Sequence, residues 1–122
     1  MYDHVSLKVK DYKKSKRFYE KALAPLGWKL QGEYDGTTAG FGKGDATSLW
    51  ISEGKAASSG VHIAFSSDSR DAVKRFHVAA LEAGGKDNGG PGIRADYSPT
   101  YYAAFVHDPD GHNIEAVCHS KS

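Results

Sequence analysis

Three residues of this 122-residue chain combine the types and placement that a divalent cation needs: His4, His62 and Glu115. His4 opens the run HVSLKVKD, His62 opens HIAFSSDS, and Glu115 sits in HNIEAVC. Two neutral imidazoles and one carboxylate can bind Zn, Fe, Ni or Mn, and they leave coordination positions open for water, a substrate or dioxygen. A lone strand histidine is ordinarily polar surface. The case here rests on two histidines in matched settings and on a glutamate whose strand neighbours Ile114 and Ala116 take the apolar face. A carboxylate turned inward without a partner costs free energy, so Glu115 calls for one.

The matched settings come from a repeat. His4 and His62 stand 58 positions apart (62 − 4), and the same offset pairs Val5 with Ile63 and Leu7 with Phe65. It pairs Lys16-Arg17-Phe18 with Lys74-Arg75-Phe76, Ala22-Leu23 with Ala80-Leu81, and Gly27 with Gly85, without a gap. Residues 2–9 alternate, with Val5, Leu7 and Val9 on one face and His4, Ser6 and Lys8 on the other. Asp11 is placed to cap a helix whose stripe is Phe18, Ala22, Leu23 and Leu26, with Pro25 and Gly27 closing it. In the second copy the strand is 61–66, and Asp68 or Ser69 caps the helix. Val73, Phe76, Ala80 and Leu81 form its buried stripe, and Gly84-Gly85 ends it. Strands are expected at 28–34, 38–43 and 46–52, then near 93–97, at 100–107 and at 112–118, with Asp108-Pro109-Asp110-Gly111 as a tight turn. The expected fold is α+β, one domain of two β-α-β-β-β modules, about 1–53 and about 60–119. Their sheets pair with the helices outside, residues 53–60 join the modules, and the tail from 119 frays.

Composition narrows the function classes. Hydrophobic residues are 39% and charged residues 25%, a globular balance. A formal net charge of +1 offers no basic field for nucleic acid. Cys118 is the single cysteine, so the fold is expected to need no oxidising compartment. The charged start MYDHVSLKVKD does not read as a signal peptide, and no run approaches a membrane helix; a cytoplasmic setting is the expectation. P-loop, GxSxG, CxxC and GxGxxG motifs are absent from the sequence.

Three stretches carry a resemblance: DHVSLKVKDYKKSKRFYEKALAPLG, VHIAFSSDSRDAVKRFHVAALEAGG and YYAAFVHDPDGHNIEAV. They resemble the vicinal oxygen chelate superfamily, which includes glyoxalase I, extradiol dioxygenases, fosfomycin-modifying transferases and bleomycin-binding proteins. The resemblance implies two βαβββ modules forming a cup-shaped mixed sheet around a metal, and a metal-dependent lyase, dioxygenase or transferase acting on a small molecule. The non-catalytic alternative is a drug-binding protein. His4, His62 and Glu115 match three of the family's four metal positions. The fourth falls in SLWIS, where Trp50 aligns with Glu115 because Leu49 then matches Ile114. Trp50 cannot ligate a metal, which tells against lactoylglutathione lyase activity. The family also implies a homodimer, with modules paired within one chain or across two.

Other residues are expected around the centre. Trp50 is a pocket wall or inter-sheet packing. Tyr101 and Tyr102 adjoin on one strand, so one faces the site and can donate a hydrogen bond or a proton; the irregular loop before them leaves open which. Arg94 and Tyr97 follow the Gly-rich loop 88–92 and can border the pocket, Arg94 as a clamp for carboxylate or phosphate or as plain surface. Glu115 can be ligand only or also base. His107 and His112 are expected at the rim, His77 in packing, Cys118 inert and KKSKR on a solvated helix face.

Overall fold

The structure is a computed structural model that describes residues 2–55 and 61–122. Most of the joining segment, residues 56–60, lies outside the described residues. Module one runs through β1 (Val5–Val9), α1 (Tyr12–Leu23), β2 (Lys29–Tyr34), β3 (Thr38–Lys43) and β4 (Ala46–Glu53). Module two has β5 (His62–Ser66), α2 (Arg70–Glu82), β6 (Lys86–Asp87), β7 (Gly92–Ile93), β8 (Tyr102–His107) and β9 (Asn113–Cys118). The expected α+β class and the duplicated module are what the chain adopts.

Local chemistry sets the helix ends. The Asp11 carboxylate accepts from the Lys14 N–H and the Ser69 hydroxyl oxygen from the Ala72 N–H, so Ser69 and not Asp68 is the second cap. A 3-10 turn at Ala24–Leu26 extends α1, and Gly27 closes it at φ 86°, donating its N–H to the Ala24 carbonyl.

Each module forms its own mixed sheet, and the two do not close on one another. The strand orders are β1-β4-β3-β2 and β5-β9-β8-β6, with β7 also on β8. In both, the first strand of the module runs parallel to the last. The β1–β4 register sets Ser6 against Trp50, and the β5–β9 register sets Ala64 against Glu115. Ser6 and Ala64 are repeat partners, so Trp50 occupies in module one the place that Glu115 holds in module two.

The helices cover one face of each sheet. Phe18, Tyr19, Ala22 and Leu23 of α1, with Val73, Phe76 and Ala80 of α2, are buried with Leu7, Val9, Phe41, Leu49, Ile51, Ile114 and Ala116 in one core. Each fully buried large side chain contributes about 1.5–3 kcal/mol. The helices pack on each other as well as on their own sheets, so the core is continuous between modules. The Asp110 carboxylate, in the turn of module two, accepts from the Lys10 N–H at 3.2 Å and the Ser15 hydroxyl at 3.4 Å in module one.

Two expectations about the elements change, and one short strand is added. Leu81 is 37% exposed, and Ala72 and Ala83 are buried in the second stripe instead, because the helix axis turns Leu81 toward solvent. Of the anticipated 93–97 strand only Ile93 pairs, together with Gly92 before it; the Arg94 carbonyl accepts from the Tyr97 N–H in a turn. β6 was not anticipated, since two residues carry no readable alternation.

Candidate functional site

Glu115 lies at the middle of β9, on the face turned from the helices, and is 2% exposed. Ile114 and Ala116 beside it enter the core, as the two-residue period requires. His62 opens β5, the neighbouring parallel strand, and its side chain is 49% exposed. Its Nε2 lies 2.8 Å from Glu115 Oε1. The Tyr101 hydroxyl donates to Glu115 Oε2 at 2.5 Å. Both oxygens of a buried carboxylate are thus engaged, which offsets its desolvation.

Tyr101, just before β8, and Tyr102, which opens it, turn to opposite sides. Tyr102 is buried on the helix side, where the Arg70 guanidinium stands 5.1 Å over its ring, and Tyr101 turns to Glu115. Burial, and then the hydrogen bond and negative charge of Glu115, push the Tyr101 phenol up to about 12. At neutral pH it therefore holds its proton and acts as a donor.

An aromatic rim surrounds this core. Tyr97 and His119 meet the Tyr101 ring edge-on at 4.9 and 5.2 Å. Phe105, set against Glu115 in the β8–β9 register, lies 6.2 Å from the His62 ring, with the Arg94 guanidinium 5.3 Å over its own ring. Arg94 also donates to the Gly90 carbonyl at 2.7 Å, which ties the Gly-rich loop to the site.

His4 and Trp50 belong to the other sheet. His4 precedes β1, is half-exposed, and its Nδ1 lies 2.8 Å from Asp3 Oδ1. Within one chain it does not join His62 and Glu115 in a group of ligand atoms within 4.8 Å of one another. Trp50 faces away from the helices, against Gly40 and 5.9 Å from Tyr34. His4 instead borders a cleft of about 450 Å³ between β1 and β5, with Val5, Trp28, Leu49, Ile63 and Phe65.

Among the described residues one set of three ligand-type groups does meet that spacing: Asp108, Asp110 and His112. His112, expected at the rim, is 1% exposed, and both its ring nitrogens are buried without a protein partner. It is drawn inward because its N–H is clamped by Asp108, whose Oδ1 accepts it at 2.8 Å and the Asp110 N–H at 2.9 Å. The Tyr19 hydroxyl donates to Asp108 Oδ2. The donor types could hold a metal. The Asp108 contacts all lie within or beneath the turn, and Lys14 and Lys86 line the adjoining groove, where they disfavour a cation, so the cluster is first of all the lock of the turn. DPDGH in the sequence carried its signal: two carboxylates and an imidazole within five residues.

The model of the Glyoxalase/Bleomycin resistance protein/Dioxygenase superfamily matches residues 2–116. The chain belongs to that superfamily. Among solved structures, a glyoxalase/bleomycin resistance protein of this superfamily from Albidiferax ferrireducens T118 is 28% identical. That comparison covers 97% of this chain and 98% of the other, at a TM-score of 0.80. A hypothetical protein, SA1046, from S. aureus is 26% identical over 93% of this chain and 92% of its own, at 0.68. A lactoylglutathione lyase from Agrobacterium tumefaciens is 14% identical, covering 97% and 92% at 0.71, a likeness of fold alone. A comparison with curated proteins gave no match. Membership gives the expected vicinal oxygen chelate fold, in a superfamily that binds small-molecule substrates and is often metal-dependent.

Proposed function

We propose that this protein is a metal-dependent enzyme that binds two neighbouring oxygens of a small molecule, with lyase, dioxygenase or transferase chemistry. The observation that carries this reading is Glu115, a buried carboxylate held between His62 and the Tyr101 hydroxyl. One imidazole nitrogen and one carboxylate oxygen 2.8 Å apart fit a divalent ion by donor type, Fe, Mn, Ni or Zn. His4 is the third ligand, and we assign it to a second copy of the chain. Its half-exposed ring and the position of β1 and β5 at the edges of their sheets support that arrangement. When bound, the metal supplies Lewis acidity toward the substrate oxygens. Tyr101 keeps its proton, donates the hydrogen bond that orients the Glu115 carboxylate, and with Phe105 and Tyr97 limits water on that side. Arg94 stands ready for an anionic substituent. Module two and module one act as parts of a single domain, in a cytoplasmic setting that suits the lone buried Cys118.

Metal content tests the proposal. Protein incubated with Fe, Mn, Ni or Zn and desalted should retain about one ion per chain. Its melting temperature should rise, since an ion at 100 times its Kd adds about 2.7 kcal/mol. His62→Ala and Glu115→Gln should abolish both effects. Wild-type protein that retains no ion and gains no stability overturns the reading. Binding without turnover is the second reading, and one observation favours it: a single chain brings together only His62 and Glu115 of the three ligands.

A further inference from the structure

The open face of the first sheet carries a feature that the metal reading does not use. In the β1–β4–β3–β2 register, the residues on the face turned from the helices include Ser6 and Lys8, Trp50 and Ser52, Thr38 and Gly40, Gly32 and Tyr34, with Thr47 at the register shift. All except the two aromatics and Lys8 are small. A Cβ on Gly40 would stand 2.7 Å from Trp50 Cζ3, 2.8 Å from Cη2 and 2.7 Å from Thr47 Cγ2, so the indole and the Thr47 methyl both lie directly on the glycine. At Gly32 a Cβ would meet Tyr34 Cε2 at 3.6 Å and Trp50 Cη2 at 3.7 Å, so both rings cover that residue too. The rings are 29° apart in plane with centroids at 5.9 Å. That spacing is wide for rings stacked face on face, and it suits two rings laid side by side over glycine. Glycine in a strand weakens the sheet, and a close approach by another group is the usual reason for it.

The charge on this face has one sign. Lys8 is exposed, and its ammonium donates to the Ser52 hydroxyl at 3.0 Å. Among the described residues it makes no ion pair, and the face holds no carboxylate. Glu33 and Glu53, on the same strands, turn to the helix side, where they accept from Tyr12. Module two differs at the equivalent place: Phe105 stands against Glu115 where Gly40 stands against Trp50.

We infer that the Trp50–Tyr34 surface, with the Lys8 ammonium at its margin, is the seat for a planar aromatic ring bearing a carboxylate. The aromatic part lies on the indole, and the carboxylate pairs with Lys8 next to Ser52. This names the substrate class of the proposed site and rests on that reading for its metal, but the platform itself is built from module one alone. A planar ring gains from the π-face of tryptophan, whereas a puckered ring of the same size does not match it.

Isothermal titration calorimetry of the full chain with 2-naphthoate, its saturated analogue decahydro-2-naphthoate and 2-naphthylmethanol tests this. The expected order is 2-naphthoate at least tenfold tighter than either comparator. Trp50→Leu and Lys8→Gln should each weaken it at least tenfold, with Lys8→Gln sparing 2-naphthylmethanol. Equal affinity for the planar and saturated acids, or binding that ignores both substitutions, overturns the inference. A second copy covering this face completely would appear as no binding by wild type, and that also overturns it. Running each titration with and without Mn separates the two proposals. Naphthoate binding that depends on Trp50 and Lys8 in a protein that takes up no metal leaves the platform standing and sinks the metal centre. Stoichiometric metal with no preference for the planar acid does the reverse. Circular dichroism of both variants confirms that they fold.

Discussion

Tyr19 is buried along its whole ring, T-stacked on Phe18 at 4.9 Å, and its hydroxyl ends on Asp108. Tyr19→Phe keeps the ring and strands one oxygen of a buried carboxylate. The expected loss is about 1–3 kcal/mol, read as a lower urea midpoint at unchanged slope. Tyr12 gives a pH signature. Burial first, and then the hydrogen bond and charge of Glu33, hold its phenol well above the ordinary value of 10.0. The native state thus keeps a proton that the unfolded chain releases above pH 10, so the stabilisation is complete below that pH and falls as pH rises beyond it. Wild type should therefore lose stability faster than Tyr12→Phe above pH 10, by up to about 1.4 kcal/mol per pH unit. Denaturant curves of the two proteins at pH 8 and pH 11 check this, and parallel behaviour would refute it.

Glycines in and just after β3 show how an element, and not a residue type, sets the cost of a change. At Gly42 a Cβ would stand 1.7 Å from the Ala46 carbonyl oxygen, where the β3–β4 register shifts. Backbone cannot step aside cheaply, so Gly42→Ala should destabilise by at least about 1–3 kcal/mol. Gly44, two residues on, has open space but φ +64°, and Gly44→Ala should cost about 1–2 kcal/mol. Thermal melts that rank the two variants the other way would contradict the register shift as the cause. The elements were largely readable beforehand, because strand alternation, the Asp11 cap and the two helical stripes are local. β6 and the short β7 were not, because each is held by pairing to β8 and not by its own pattern.

For the whole molecule, the arrangement of modules decides whether a metal centre exists. His62 and Glu115 meet through the parallel β5–β9 pair, while His4 lies on the other sheet. If a homodimer completes the site, His4→Ala and Glu115→Gln should each be metal-free alone. Mixed under subunit exchange, they should regain about one ion per four chains, because only heterodimers combine an intact His4 with an intact Glu115. Sedimentation should report a dimer throughout. A mixture that stays empty excludes a site shared between chains.

Sequence order alone determined the duplication, the Asp11 cap, the inward Glu115 and the equivalence of Trp50 with it, because the two-residue strand period and the repeat offset are properties of the chain. Tertiary structure decided that Tyr101 and not Tyr102 reaches Glu115, and that His112 goes inside. It also decided that His4 stands apart from His62 in one chain. These depend on how an irregular loop enters β8, how a turn is clamped, and how two sheets are placed across a shared helical layer. They are distances between parts far apart in sequence, and only the packed core fixes them.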